Sequence, residues 1–324
     1  MKKFFVPFVF VVFLLNGCCI YIEANEKAKE TSAAFSVEWN DGVGTKISDL
    51  RYGSGDYHTY DLYLPPDPSA AKSTHMILYT HGGGWMTGSK EQGDVYCKYF
   101  TSKGYVTASI NYTLSDGSHD PTISSVNNEL LSAVTAIKNE ALARGYNLVD
   151  MANFGFSAGA CQSILYAFKE KENSALPVKF VMDWSGPVSF NPDYWTAEAG
   201  VYAPELKLLG MDGSDQGKAD MVKKFSGVDC TASMIADGSA QSVWGPISPY
   251  TYVSSASVPV LLCFGSYDGI VPPCHQRLLI ETLRQYGVTF NVIEFTTSGH
   301  GLHYDSDKLE EFKVRADQYC AAYF

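Results

Sequence analysis

The chain has 324 residues, 46% of them apolar and only 18% charged, with a formal net charge of −11. This length and apolar share allow a large buried core and exclude a mostly disordered chain. The acidic balance repels polyanions and excludes nucleic acid as an expected partner.

The first residues have the pattern of an export signal. Lys2 and Lys3 precede an apolar stretch over residues 4–15, broken by Pro7 and about half as long as a bilayer-spanning helix. It ends in Leu15-Asn16-Gly17-Cys18, similar to a lipoprotein cleavage site with Cys18 as the lipidated residue. Plain secretion and a retained anchor are the alternatives, and Cys19 leaves the cut ambiguous. Residues 1–17 are expected to be a signal peptide, 18–40 a polar tether and 41–324 one domain. The protein is then exported, either secreted or anchored, and touches a membrane only through the lipid.

Two β-rich runs open the body, at residues 47–52 and 57–64. The second alternates Tyr60, Leu62 and Leu64 on one face, as an antiparallel pair at a sheet edge does, and Pro65 and Pro66 end it. Apolar strands then follow at 76–80, 105–110, 151–156, 180–184, 260–264 and 290–295. Helical stretches fall at 93–103, 124–143, 158–171, 274–286 and 307–323. This alternation predicts an α/β fold, a mostly parallel sheet with helices on both faces and an antiparallel N-terminal strand pair. Residues 190–246 break the rhythm with Gly, Pro, Asp and aromatics, and read as a lid-like insertion over the C-terminal edge of the sheet.

Chemistry concentrates just after the strands. His81-Gly82-Gly83-Gly84-Trp85 follows one strand, and its glycines let backbone N–H groups approach a substrate oxygen. Gly83 and Gly84 are expected to form an oxyanion hole with the N–H of Ala158. A phosphate-binding loop would need a Lys-Ser/Thr ending that is absent here. Gly155-Phe156-Ser157-Ala158-Gly159 lies between a strand and a helix, the context of a nucleophile elbow. A serine hydroxyl needs a base, and the base needs an orienting acid. Asp268 and His300 each follow a later strand, in the chain order Ser157, Asp268, His300. His303 stays open as a second candidate base. His81 reads as a brace of the glycine loop, and His58, His75, His119 and His275 as solvated imidazoles near element ends. Asp305 and Asp307 read as part of the last helix. Cys161 and Cys263 read as packed thiols, and no cysteine pair has zinc-ligand spacing, so neither metal nor cofactor is expected.

These landmarks resemble the α/β-hydrolase esterases with an HGGG loop, the hormone-sensitive-lipase-like enzymes and the related feruloyl-esterase and kynurenine-formamidase-like branch. Asn111-Tyr112-Thr113-Leu114, Ser185-Gly186-Pro187, Ser248-Pro249-Tyr250 and Gly299-His300-Gly301 add to the resemblance, which runs from about residue 45 to the C-terminus. It implies the α/β-hydrolase fold and a carboxylesterase working through an acyl-enzyme. Trp85 would stand beside the acyl cleft and favour short-acyl esters. Export and the many aromatics (21 Tyr, 18 Phe, 5 Trp) extend this to acyl groups on plant carbohydrates. An amide hydrolase or peptidase with the same triad, and a non-catalytic binding protein on the same fold, are the alternatives. Thr113 stands where the family has arginine, so one of its ion pairs should be missing.

Overall fold

The computed structural model describes residues 33–196 and 213–324. The signal segment with Cys18, most of the tether and part of the insertion lie outside the described residues.

Eight strands form one sheet: β1 (Thr45–Arg51), β2 (Thr59–Leu64), β3 (His75–Thr80), β4 (Val106–Ile110), β5 (Asp150–Phe156), β6 (Val178–Trp184), β7 (Val260–Gly265) and β8 (Phe290–Phe295). Their order is β1-β2-β4-β3-β5-β6-β7-β8. β2 runs antiparallel to β1 and β4, and all the other pairs are parallel. Between and after the strands come α1 (Asp94–Ser102), α2 (Ile123–Ala143), α3 (Ala158–Lys169), α4 (Pro192–Thr196), α5 (Asp215–Ser226), α6 (Ala232–Ala236), α7 (Gln241–Trp244), α8 (Cys274–Gln285) and α9 (Ser306–Tyr323).

Strands buried on both faces explain the continuous apolar runs in the sequence. Residues one apart point to opposite faces. Leu78, Val181 and Leu262 meet the side built from α2, α3 and α8. Ile77, Tyr79, Phe154, Met182 and Cys263 meet the side that holds Phe100 of α1 and Phe312 of α9. β2 is not half solvated as its alternation suggested, whereas β1 beside it is exposed or half-buried throughout. Between Tyr60 and Leu62, Asp61 is also buried, at 1% exposure, with Lys46 at 2.9 Å and Lys90 at 2.7 Å from its carboxylate. A paired carboxylate thus occupies a position that the pattern assigns to water.

Phe35, which the sequence places in the tether, is fully buried and packs edge-on against Tyr96, Tyr99, Trp184 and Phe312. Lys313 Nζ donates to the Ala34 carbonyl at 3.0 Å and holds this approach against α9. The six cysteines of the body are unpaired, and Cys161 and Cys263 are fully buried. Among the described residues no helix is long and apolar enough to cross a membrane, and no group of three or more His, Cys, Asp or Glu could hold a metal ion.

Candidate active site

The parallel register brings the strand ends together. Thr80 lies beside Gly155, Phe156 beside Trp184, and Gly265 beside Phe295. The segments that follow β3, β5, β7 and β8 therefore leave the sheet at one edge, the usual place for a site in an open α/β sheet.

Ser157 sits in the turn between β5 and α3 with φ 54° and ψ −120°, a conformation strained for a residue with a Cβ. Two close approaches explain why its flanking residues are glycines. A Cβ on Gly155 would fall 2.4 Å from the Gly159 backbone, and one on Gly159 would fall 2.0 Å from the Thr80 carbonyl oxygen. The Ser157 N–H donates to the Trp184 carbonyl at 2.7 Å, which fixes the turn against β6.

His300 Nε2 lies 2.9 Å from Ser157 Oγ, and His300 Nδ1 lies 2.7 Å from Asp268 Oδ2. The carboxylate can only accept, so Nδ1 carries the proton and Nε2 is free to accept from the serine hydroxyl. The other oxygen of Asp268 accepts from the N–H groups of Ile270 at 2.9 Å and Val271 at 2.8 Å. Asp268 is 3% exposed, so this line of hydrogen bonds is closed to water at its acid end. His300, not His303, reaches Ser157. The imidazole of His303 is shifted to a lower pKa by burial, and by the nearby His300.

The glycine loop lies against the elbow, since a Cβ on Gly82 would come 3.1 Å from Ser157 Cβ. Gly83, Gly84 and Trp85 have φ of 114°, 61° and 60°. That run turns the backbone back on itself, and the Gly83 carbonyl accepts from the N–H groups of Met86 and Thr87 at 3.1 Å. Ala158 opens α3, where helix geometry leaves first-turn N–H groups without helical partners. His81 braces the loop from below. Its Nδ1–H donates to the Gly82 carbonyl at 2.7 Å, its ring stacks on Tyr112 at 4.2 Å, and burial lowers its pKa to about 4. The Trp85 indole is 5% exposed, packed against Phe190 at 5.8 Å and against Phe225 of α5 at 5.3 Å. The insertion thus rests on the end of the glycine loop.

Two readings of the sequence are corrected here. His275 is not solvated: it is fully buried, its Nδ1 accepts from the N–H groups of Val188 and Ser189, and burial lowers its pKa to about 3. Asp305 immediately precedes α9, but its carboxylate turns back to the histidine loop. It accepts from Thr297 Oγ1 at 2.9 Å, Ser298 Oγ at 2.6 Å and the Thr297 N–H at 3.2 Å. Burial works to raise its pKa, and the hydrogen bonds from Ser298 and Thr297 outweigh it and hold it below the usual carboxylate range. The only signal for this brace in the sequence was the acceptor placed shortly after two hydroxyl residues. In the absence of the family's arginine at position 113, Glu129 accepts from the Thr113 N–H at 2.8 Å and the Tyr52 hydroxyl at 3.2 Å. A cleft of about 400 Å³ lined by Asp120, Thr122, Asp220, Lys223, Lys224 and Gly227 includes none of the triad in its wall and is a separate polar groove.

The profile of the BD-FAE family matches residues 60–283. An ethyl acetate hydrolase of Pseudomonas putida is 29% identical over 148 residues, 45% of each chain. A kynurenine formamidase of Salmo salar is 26% identical over 109 residues, 33% of this chain and 36% of that one. The chain therefore spans less than half the length of these curated relatives. Among solved structures, esterase B of Lactobacillus rhamnosis superposes with a TM-score of 0.65 at 18% identity, over 94% of this chain and 93% of that one. A truncated carbohydrate esterase from gut microbiota does so with a TM-score of 0.65 at 18% identity, over 88% and 100%. At such identities the likeness establishes the α/β-hydrolase fold. With most of its length matched by the profile, the chain belongs to the BD-FAE family of α/β-hydrolases.

Proposed function

We propose that this protein is a serine carboxylesterase that hydrolyses short-acyl esters, acylated carbohydrates among them, through an acyl-enzyme. The observation that carries the reading is the unbroken line from Ser157 Oγ through His300 to Asp268, with spacings of 2.9 and 2.7 Å.

His300 Nε2 takes the Ser157 proton as Oγ attacks the ester carbonyl. Asp268 stays ionised and stabilises the imidazolium, held in place by the Ile270 and Val271 N–H groups. The oxyanion is met by N–H groups of Gly83, Gly84 and Ala158, fixed before the reaction begins. The imidazolium then gives its proton to the leaving alcohol, and a water activated by His300 releases the acid. The names of the similar proteins, an ethyl acetate hydrolase, an esterase and a carbohydrate esterase, favour an ester substrate.

The formamidase similarity favours a second reading, in which the same serine attacks a formamide. Purified protein assayed on acetyl, butyryl, feruloyl and long-chain esters and on an N-formyl arylamine separates the two. Acetyl or butyryl turnover well above the formamide supports the proposal, and formamide turnover alone contradicts it. Export with a lipid on Cys18 is part of the same proposal. Cys18→Ser should leave the precursor uncut or free the protein, and native protein already in the medium with a different N-terminus would contradict it.

A further inference from the structure

A backbone N–H is aimed when the carbonyl in its own peptide plane is bonded, because the two point in opposite directions across a trans peptide. The Gly83 N–H shares its plane with the Gly82 carbonyl, which accepts from His81 Nδ1 at 2.7 Å. The Gly84 N–H shares its plane with the Gly83 carbonyl, which accepts from the N–H groups of Met86 and Thr87 at 3.1 Å. Backbone alone therefore fixes the second plane, whereas the first depends on the direction of an imidazole ring.

Tyr112 sets that direction. Its ring stacks on His81 with centroids 4.2 Å apart and planes 11° from parallel, and its hydroxyl donates to the His81 carbonyl at 3.0 Å. One side chain thus holds the same histidine by its ring and by its backbone. The phenol is fully buried, and burial pushes its pKa well above the usual range, so it stays a donor. The residues on either side of Tyr112 are tied in turn. Asn111 accepts from the Lys90 N–H at 2.7 Å and donates to Thr59 Oγ1 at 3.0 Å, and the Thr113 N–H donates to Glu129 at 2.8 Å. The Ser115 N–H donates to the Trp85 carbonyl at 2.7 Å, so the same segment also holds the far end of the glycine loop.

We infer that Tyr112 is a positioning residue of the oxyanion hole: it fixes the His81 ring, and through it the Gly82–Gly83 peptide, so that the Gly83 N–H is aimed before substrate arrives. Packing alone would need the ring and not the hydroxyl, yet the hydroxyl reaches the first residue of the loop. The inference rests on the esterase reading, in which Gly83 donates to the oxyanion.

The test is Tyr112→Phe, which removes one buried oxygen and keeps the ring. On a butyrate ester kcat should fall about tenfold, less than the loss of a whole oxyanion donor, with KM within about twofold of wild type. Butaneboronic acid, whose tetrahedral adduct with Ser157 places an oxygen where the oxyanion forms, should lose affinity by the same factor. Tyr112→Leu removes the ring as well and should fall further in both measurements; if it does not fold, Tyr112→Phe decides alone. Wild-type kcat in a folded Tyr112→Phe overturns the inference, because it leaves the hydroxyl a purely structural role. A fall in kcat with boronate affinity unchanged, or a rise in KM alone, overturns it too. Wild type that cleaves an N-formyl arylamine but no ester sinks the esterase reading instead, and the same comparison of kcat on the formamide then decides the role of Tyr112.

Discussion

Asp183 lies near the end of β6, fully buried, beside Gly155 of the elbow strand. Its Oδ1 accepts from the Gly186 N–H at 2.8 Å, while Oδ2 has no partner. Burial raises its pKa from 3.8 to about 8, and the Gly186 hydrogen bond offsets only part of that. The unfolded chain gives up this proton near pH 4 and the folded protein near pH 8, so between them the folded state holds more protons. Stability must then fall as pH rises, by about 1.4 kcal/mol per unit, reaching about 4 kcal/mol by pH 7 and levelling off above about pH 8. Asparagine has the same shape, keeps an oxygen for Gly186 and carries no charge at any of these pH values. Asp183→Asn should therefore gain on wild type as pH rises. Urea unfolding at about pH 5 and about pH 8 reads this directly, and the variant's advantage should widen by about 2–4 kcal/mol between them. Parallel pH–stability curves for the two proteins would refute the reasoning, because they would mean that Asp183 releases no proton late.

Asp305→Ala removes the acceptor that braces Thr297 and Ser298, and hydrogen bonds to a charged group contribute about 1.5–3 kcal/mol each. Ester kcat should fall about 10- to 100-fold with little change in KM, and Asp305→Asn should recover part of it; a variant with wild-type kcat would remove Asp305 from the positioning of His300. His300→Gln should abolish acylation, and His303→Gln should cost far less; steady-state rates on a butyrate ester in the reverse order would show the triad to be wrong. Trp85→Ala should raise octanoyl over acetyl ester selectivity about tenfold, or about 1.4 kcal/mol, while the lost packing on Phe190 and Phe225 lowers stability by about 3–5 kcal/mol. Wild type that already prefers decanoyl to butyryl esters would contradict the short-acyl pocket.

The sheet was legible because its parallel inner strands are buried on both faces and so read as mostly apolar runs. Residues 290–295 come out with the same bounds in sequence and structure, and the others within a few residues. The sharp turn at Ser157 and the glycine loop were legible because close backbone approaches need small residues at fixed spacings, and Gly159 with its 2.0 Å approach shows why. What stayed hidden depends on contacts distant in the chain or on burial. Asp61 is paired by lysines from β1 and from the segment before α1, a match that strand alternation does not encode. Asp305 looks like any acid before a helix until the loop folds back on it. His275 is buried by the insertion, the part with the least pattern. Asp183 did leave a signal, an acid inside the apolar run Phe180-Val181-Met182-Asp183-Trp184. A lone carboxyl there marks a buried proton-holding group.

In the proposed mechanism Ser157 carries the acyl group between the two half-reactions. The most direct measurement is a rapid acid quench during turnover of a butyrate ester, followed by peptide mass spectrometry. A butyryl group is expected on the peptide containing Ser157, localised to that serine, and none in Ser157→Ala. Turnover that leaves Ser157 unmodified, with Ser157→Ala keeping more than about a tenth of the wild-type rate, would contradict it.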